Sequence, residues 1–291
     1  MPGEYLSLRT VLEAPILDDH KWAKVPHISS DAILVDMEDS VPPERKLAAR
    51  DKVAATIADP GSLVGRVLIP RVNSIQTEWG ADDLKALAEV GAPRIAYPKV
   101  ETRAELDEVR RMLESHGAAP DLFLVIESAR GILELEQLAS APLVTGLLFG
   151  PYDLAVSAGY TLFDGDDLFE PALYYPRSKL ALAGAAFGLA CFDMMFVADM
   201  RDAEAVRARA RFSKKLGFTG VATFYPPHVD IINDVYTPSA EEVAEAEHIV
   251  DVYESAVSGG HAATSKNGRA LIVQDYKKAQ LVLDRERNAR H

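Results

Sequence analysis

The sequence predicts a (β/α)8 barrel carrying a C-terminal helical extension. Three observations predict it. Eight short apolar runs of strand length alternate with stretches of helical spacing, the pattern of repeated βαβ units. Several of these runs end in charged residues, at the edge where parallel α/β folds bind ligands. The chain has 291 residues, close to the ~250 usual for such a barrel with room for an appendage. A doubly wound sheet is the alternative, but no G-x-G-x-x-G follows the first strand and no G-x-x-x-x-G-K-[ST] occurs. The barrel is expected over 1–236, and the C-terminal helices and a lid segment over 237–291.

The strongest unit is 122–154, LFLVIESARGILELEQLASAPLVTGLLFGPYDL. Leu122 to Ile126 and Thr145 to Phe149 are apolar runs, and Gly131 to Ser140 between them has helical spacing. A strand, helix and strand of this size make a right-handed crossover with parallel strands. The first strand is expected over Leu6 to Leu12, with Arg9 inside it. The second is Ala32 to Val35, the third Arg66 to Ile69 and the fourth Arg94 to Tyr97. The seventh covers Ala190 to Phe196, and the eighth Gly220 to Tyr225, stopped by Pro226-Pro227. Helices are predicted at Pro43 to Ala58, Asp82 to Glu89, Arg103 to His116, Pro176 to Phe187 and Ala203 to Leu216. Residues 160–171 read as an acidic surface loop. The Gly/Ser-rich run after Ser258 reads as a hinge before a last helix near Ile272 to Arg287.

A net charge of −13 without a long basic run argues against nucleic acid or an anionic membrane as the main partner. No stretch approaches the roughly 20 apolar residues of a membrane span. A single cysteine, Cys191, excludes an internal disulfide framework and suits a reducing cytoplasm. Cys191 lies inside an apolar run and reads as core. The seven histidines show no H-x-H or H-E-x-x-H spacing, so zinc chemistry is not indicated.

Chemistry is expected at the strand ends. Glu127 and Asp153 follow neighbouring strands and would repel each other unless a cation lay between them, and oxygen-only ligation suits Mg²⁺ or Mn²⁺. Alternatively, one is a loop acid and the other a helix cap. Asp36, Glu38 and Asp39 crowd three acids into four residues. They read either as outer acceptors of metal-bound water or as acids at a helix start before Pro42-Pro43. Arg71 enters the same mouth, as a bidentate clamp for a substrate carboxylate or as a charge balancer. Lys99 ends the fourth strand; its acidic surroundings would keep it protonated, which disfavours a Schiff-base role.

The runs SSDAILVDMEDSVPPERKLAAR, LIPRVNSIQTEWGADDL, YPKVET, VIESARGI, LLFGPYDLA and YPRSKLALAGAAFGLACFD resemble the citrate lyase β-subunit family, within the wider HpcH/HpaI aldolase group. The match runs in order from about Arg9 to Glu254. The resemblance implies a (β/α)8 barrel, a trimer or hexamer, and a Mg²⁺-dependent lyase. The reaction implied is cleavage or formation of the carbon–carbon bond of a citryl-CoA or malyl-CoA type of 3-hydroxyacyl-CoA, with a 2-oxo acid as partner. It places Glu127 and Asp153 as metal ligands and Arg71 on the oxo-acid carboxylate. Asp36, Glu38 and Asp39 fall around the metal waters, and Lys99 matches the lysine of the family's P-K motif. Arg9 and Lys46 fall where CoA is contacted. Three departures touch the CoA half: Leu12-Glu13-Ala14-Pro15-Ile16 after the first strand, Phe224-Tyr225-Pro226-Pro227-His228 after the eighth, and Asn267-Gly268 where the family carries Asp-Gly. Two alternatives therefore stand beside the CoA lyase: a metal-dependent aldolase acting on a CoA-free 2-oxo acid, and a non-catalytic paralogue that binds an acid or CoA.

Overall fold

Eight parallel strands pair in chain order and close on themselves. They are β1 (Thr10–Pro15), β2 (Ala32–Asp36), β3 (Val67–Arg71), β4 (Arg94–Tyr97), β5 (Asp121–Ile126), β6 (Val144–Phe149), β7 (Ala190–Met194) and β8 (Gly220–Thr223). The computed structural model describes residues 5–162, 171–258, 264–266 and 269–289. The predicted (β/α)8 barrel is the observed fold. The chain divides into two compact units, Met1–Asn233, which holds the barrel, and Asp234–His291.

Side chains alternate along each strand, so one set fills the lumen and the other meets the helices. Val11, Leu34, Ile69, Ala96, Phe123, Val125, Leu148 and Phe192 belong to the lumen cluster. Phe123 is the central plug, and Gly146 on the adjacent strand makes room for it: a Cβ there would lie 2.3 Å from the Phe123 ring. Tyr5 covers the amino-terminal end, edge-on to Phe123 at 5.0 Å, with its hydroxyl donating to Asp121 at 2.6 Å. The same alternation sets the site. Two residues beyond Val11, Leu34, Ile69 and Val125 come Glu13, Asp36, Arg71 and Glu127, so the lumen changes from apolar to charged within one pleat.

Element boundaries differ from the sequence reading where tertiary contacts decide them. The first strand is Thr10–Pro15, later than Leu6 to Leu12. Tyr5 turns under the barrel, and Arg9 is pinned to Asp31 before the ladder begins. Glu13 is therefore inside the strand rather than after it. The single helix expected over Gly131 to Ser140 is two short ones, Ala129–Leu133 and Leu135–Ala139, the first capped by the Ser128 hydroxyl accepting from the Gly131 amide. After β6, Gly150 leads directly into a helix, Pro151–Ala158, with proline in its first turn, where a missing N–H costs nothing. Cys191 is buried.

In the second unit, helices Ala240–Ser258 and Val273–Ala289 pack on one another, with Tyr253 and Tyr276 stacked at 4.9 Å. Strands Thr264–Lys266 and Arg269–Leu271 form an antiparallel hairpin. Asn267, Gly268, His261 and most of the 160–171 loop lie outside the described residues. Among the described residues, no helix is long and apolar enough to cross a membrane.

Candidate active site

The carboxyl ends of β1, β2, β3, β5 and β6 bring one charged cluster together. Arg71 is its hub. Its Nε donates to Asp36 Oδ1 at 2.7 Å, its Nη2 donates to Glu13 Oε1 at 2.5 Å, and Glu38 Oε2 lies 3.5 Å from Nε. Asp36 is held further by the backbone amides of Glu38 and Ser40, both at 2.9 Å. Burial alone would raise the Asp36 pKa, but Arg71 and these donors outweigh it and bring it down to about 2. The adjacent helix begins only at Lys46, after a 3-10 turn at Pro43–Arg45, so acids 36–39 do not cap it. That alternative for Asp36 and Glu38 falls away.

Lys99 closes the other side. Its Nζ donates to Glu38 Oε1 at 2.6 Å and to Asp39 Oδ1 at 3.0 Å, and stands 3.9 Å from Asp153 Oδ1. Burial opposes the charge, but bonds and charges from Glu38 and Asp39 hold the ammonium well above its ordinary pKa. Lys99 has φ of 54°, a left-handed conformation rare outside glycine. That conformation accompanies a hydrogen bond from its backbone amide to Glu127 Oε1 at 2.9 Å. Glu127 is 4% exposed, and its pKa is pushed up to about 8, by burial first and by the charges of Glu38 and Asp153. Gly150 gives it space, since a Cβ there would meet the Glu127 carboxylate at 2.6 Å. Asp153 sits in the first turn of Pro151–Ala158, half exposed at the rim.

Six carboxyl groups, Glu13, Asp36, Glu38, Asp39, Glu127 and Asp153, thus gather around two cations, Arg71 and Lys99. Glu38 Oε2 is buried without a hydrogen bond. Among the described residues, no three His, Cys, Asp or Glu side chains already form a metal cage.

Two predicted residues are elsewhere. Arg9 lies at the amino-terminal end of β1, opposite the mouth, in a bidentate pair with Asp31 (2.9 and 2.7 Å). Lys46 is buried, donating to Met37 O, Glu38 O and Asn73 Oδ1 at 3.1, 2.8 and 2.6 Å. It ties the loop after β2 to the loop after β3, and all three of its protons are used. Neither lines the cavities at the mouth. Glu13 is the converse: the sequence places it in a departure after the first strand, and the structure puts its carboxylate on Arg71. The two-residue period from Val11 would have shown it, had the strand been started at Thr10.

Two cavities flank the cluster. A small one of about 220 Å³ at the mouth is lined by Arg71, Glu127, Asp153 and lumen residues. A groove of about 1050 Å³ runs alongside, largely apolar, its charged lining made of Lys21, Lys24 and Arg45 together with Asp18 and Asp19. Glu13 and Phe224 line both.

Residues 10–226 match the HpcH/HpaI aldolase/citrate lyase family. The chain belongs to that family. It is 33% identical over 267 residues to a (3S)-malyl-CoA thioesterase of Cereibacter sphaeroides, covering 90% of this chain and 89% of that one. It is 30% identical to an L-malyl-CoA/beta-methylmalyl-CoA lyase of the same species, again over 90% and 89%. Among solved structures, the CitE protein of Mycobacterium tuberculosis in complex with magnesium, acetoacetate and coenzyme A superposes with a TM-score of 0.79 at 26% identity. That match covers 97% of this family member and 99% of CitE.

Proposed function

We propose that the chain is a Mg²⁺-dependent carbon–carbon lyase acting on a malyl-CoA-type 3-hydroxyacyl-CoA, cleaved to or formed from a 2-oxo acid and a shorter acyl-CoA. The observation that carries this reading is the pair of adjoining cavities. The small one offers a guanidinium and acids to a compact, polar acid; the large one offers a long apolar wall to an extended tail, with Lys21, Lys24 and Arg45 for its phosphates beside Asp18 and Asp19. Glu127 and Asp153 would hold the cation. Mg²⁺ takes one or two carboxylates and completes its shell with water and ligand oxygens, so a two-acid site suits it, with Mn²⁺ the alternative. The excess of carboxylates and the raised pKa of Glu127 favour added positive charge there, against the opposing charge of Lys99 beside Asp153. When bound, the cation polarises the substrate carbonyl as a Lewis acid.

The protein's own groups do the rest. Arg71, its planar guanidinium held in place by Asp36, fixes the carboxylate of the 2-oxo acid and so its orientation. Lys99 stays an ammonium and balances Glu38 and Asp39, which leaves a Schiff base without a free amine. Lys21, Lys24 and Arg45 attract the CoA phosphates, in place of Arg9 and Lys46.

A second reading, thioester hydrolysis of the same substrate, is favoured by the similarity to malyl-CoA thioesterases. Incubation with malyl-CoA and Mg²⁺ separates the readings by product. Acetyl-CoA with a 2-oxo acid supports the lyase, and malate with free CoA thiol supports hydrolysis. Turnover that survives exhaustive chelation, or stabilisation by pyruvate but not by CoA in thermal melts, overturns the proposal.

A further inference from the structure

We propose that Glu13 is a catalytic acid/base: displaced from Arg71 by the substrate carboxylate, it transfers a proton at the carbon next to the thioester. This inference rests on the CoA-ester reading above. Its ground is position. A 3-hydroxyacyl-CoA with its acid end on Arg71 and its tail in the large groove must pass the residues that line both cavities. Those are Glu13 and Phe224, and Glu13 is the sole carboxylate of the two. The segment of substrate that crosses there is the methylene and its thioester carbonyl.

Glu13 also occupies the seat of a ligand. Its Oε1 accepts from Arg71 Nη2 at 2.5 Å, the geometry a substrate carboxylate would take. An incoming carboxylate that claims the guanidinium must release Glu13. Burial already raises the Glu13 pKa, and Arg71 is the main force opposing that rise, so loss of the pairing favours the protonated acid. In cleavage, the hydroxyl proton departs to water and the carbon–carbon bond breaks. Its electron pair moves onto the thioester as an enolate. The Glu13 proton then forms the new C–H bond, leaving a carboxylate that is reloaded from water. In the synthetic direction, the Glu13 carboxylate removes the same proton. No oxidant, reductant or further reactant is needed.

The test compares wild type with Glu13→Gln, which keeps the bulk and an acceptor for Arg71 but cannot exchange the proton. We expect kcat on malyl-CoA to fall about 10²- to 10⁴-fold. Exchange of acetyl-CoA methyl protons with deuterium, in the presence of Mg²⁺ and a 2-oxo acid analogue, should fall in step. Pyruvate affinity, measured by calorimetry, should be unchanged or tighter, because an internal competitor is weakened. A kcat within threefold of wild type overturns the proposal. So does a loss of pyruvate affinity without loss of kcat, which would make Glu13 only a charge partner of Arg71. If Glu13→Gln does not fold, Glu13→Asp keeps the charge and withdraws the carboxyl by one methylene: a lowered kcat with a retained melting temperature is expected, and wild-type kcat overturns the role. A wild-type protein that turns over no CoA ester fails at the previous step and takes the Glu13 role with it, whereas an active wild type with an equally active Glu13→Gln refutes Glu13 alone.

Discussion

Two of the buried charge clusters among the described residues differ in balance. Outside the lumen, fully buried Arg177 lies with its Nε 3.0 and 3.1 Å from the two oxygens of Asp193. Ser213 donates to Asp193 at 2.6 Å, and the Arg177 guanidinium lies over the Phe149 ring at 5.1 Å. One cation meets one anion, and the pair is closed off from solvent. At the mouth, Arg71 and Lys99 face six carboxyl groups beside an open cavity. A matched pair holds helix Tyr174–Phe187 to β7; a mismatched cluster is costly to the fold and useful to a ligand that brings positive charge.

The largest expected effect tests the balanced side. Arg177→Met should leave Asp193 buried and uncompensated, lowering stability by about 3–5 kcal/mol in urea unfolding. Adding Asp193→Leu should recover much of that loss. A single variant within about 1 kcal/mol of wild type would break the contrast.

Next is the hub of the unbalanced side. Arg71→Ala should remove a charged hydrogen-bond partner of the oxo acid worth about 1.5–3 kcal/mol, or roughly 10- to 150-fold in kcat/KM. Arg71→Lys should restore only part of it, since an ammonium lacks the planar fork. Wild-type kcat/KM in either variant would remove Arg71 from substrate binding.

The smallest effect per step sharpens the comparison through pH. Glu127 has its pKa raised from the ordinary 4.5 to about 8. The folded, metal-free protein therefore holds a proton there that the unfolded chain has given up. Stability from this group is fully present below 4.5 and is lost as pH rises through about 8. On the proposed role of Glu127 as a metal ligand, Mg²⁺ would displace that proton, so its apparent affinity should rise about tenfold per pH unit below pKa and level off above it. Titration calorimetry from pH 6 to 9 checks this. Glu127→Gln should abolish the slope, weaken Mg²⁺ binding and stabilise the metal-free fold at alkaline pH. A flat affinity profile in the wild type would show that Glu127 is already ionised.

The sequence by itself determined the barrel, because apolar runs of strand length and the helical spacing between them are local properties of the chain. It also placed Asp36, Arg71, Lys99, Glu127 and Asp153 at strand ends, since each follows an apolar run long enough to fix its strand. Only the tertiary structure decided what those residues touch. Lys46 falls among the CoA contacts by resemblance, yet it is buried by carbonyls from one loop and an asparagine from another, at positions distant in the chain. Arg9 reads as part of a site, yet an ion pair with Asp31 seats it at the wrong end of β1. Glu13 was hidden by a strand boundary: with the ladder set to begin at Thr10 by pairing with β2 and β8, the same residue moves from a loop to the lumen and onto Arg71. Register is a property of neighbours, and a slip in reading it changes which side chains share a cavity.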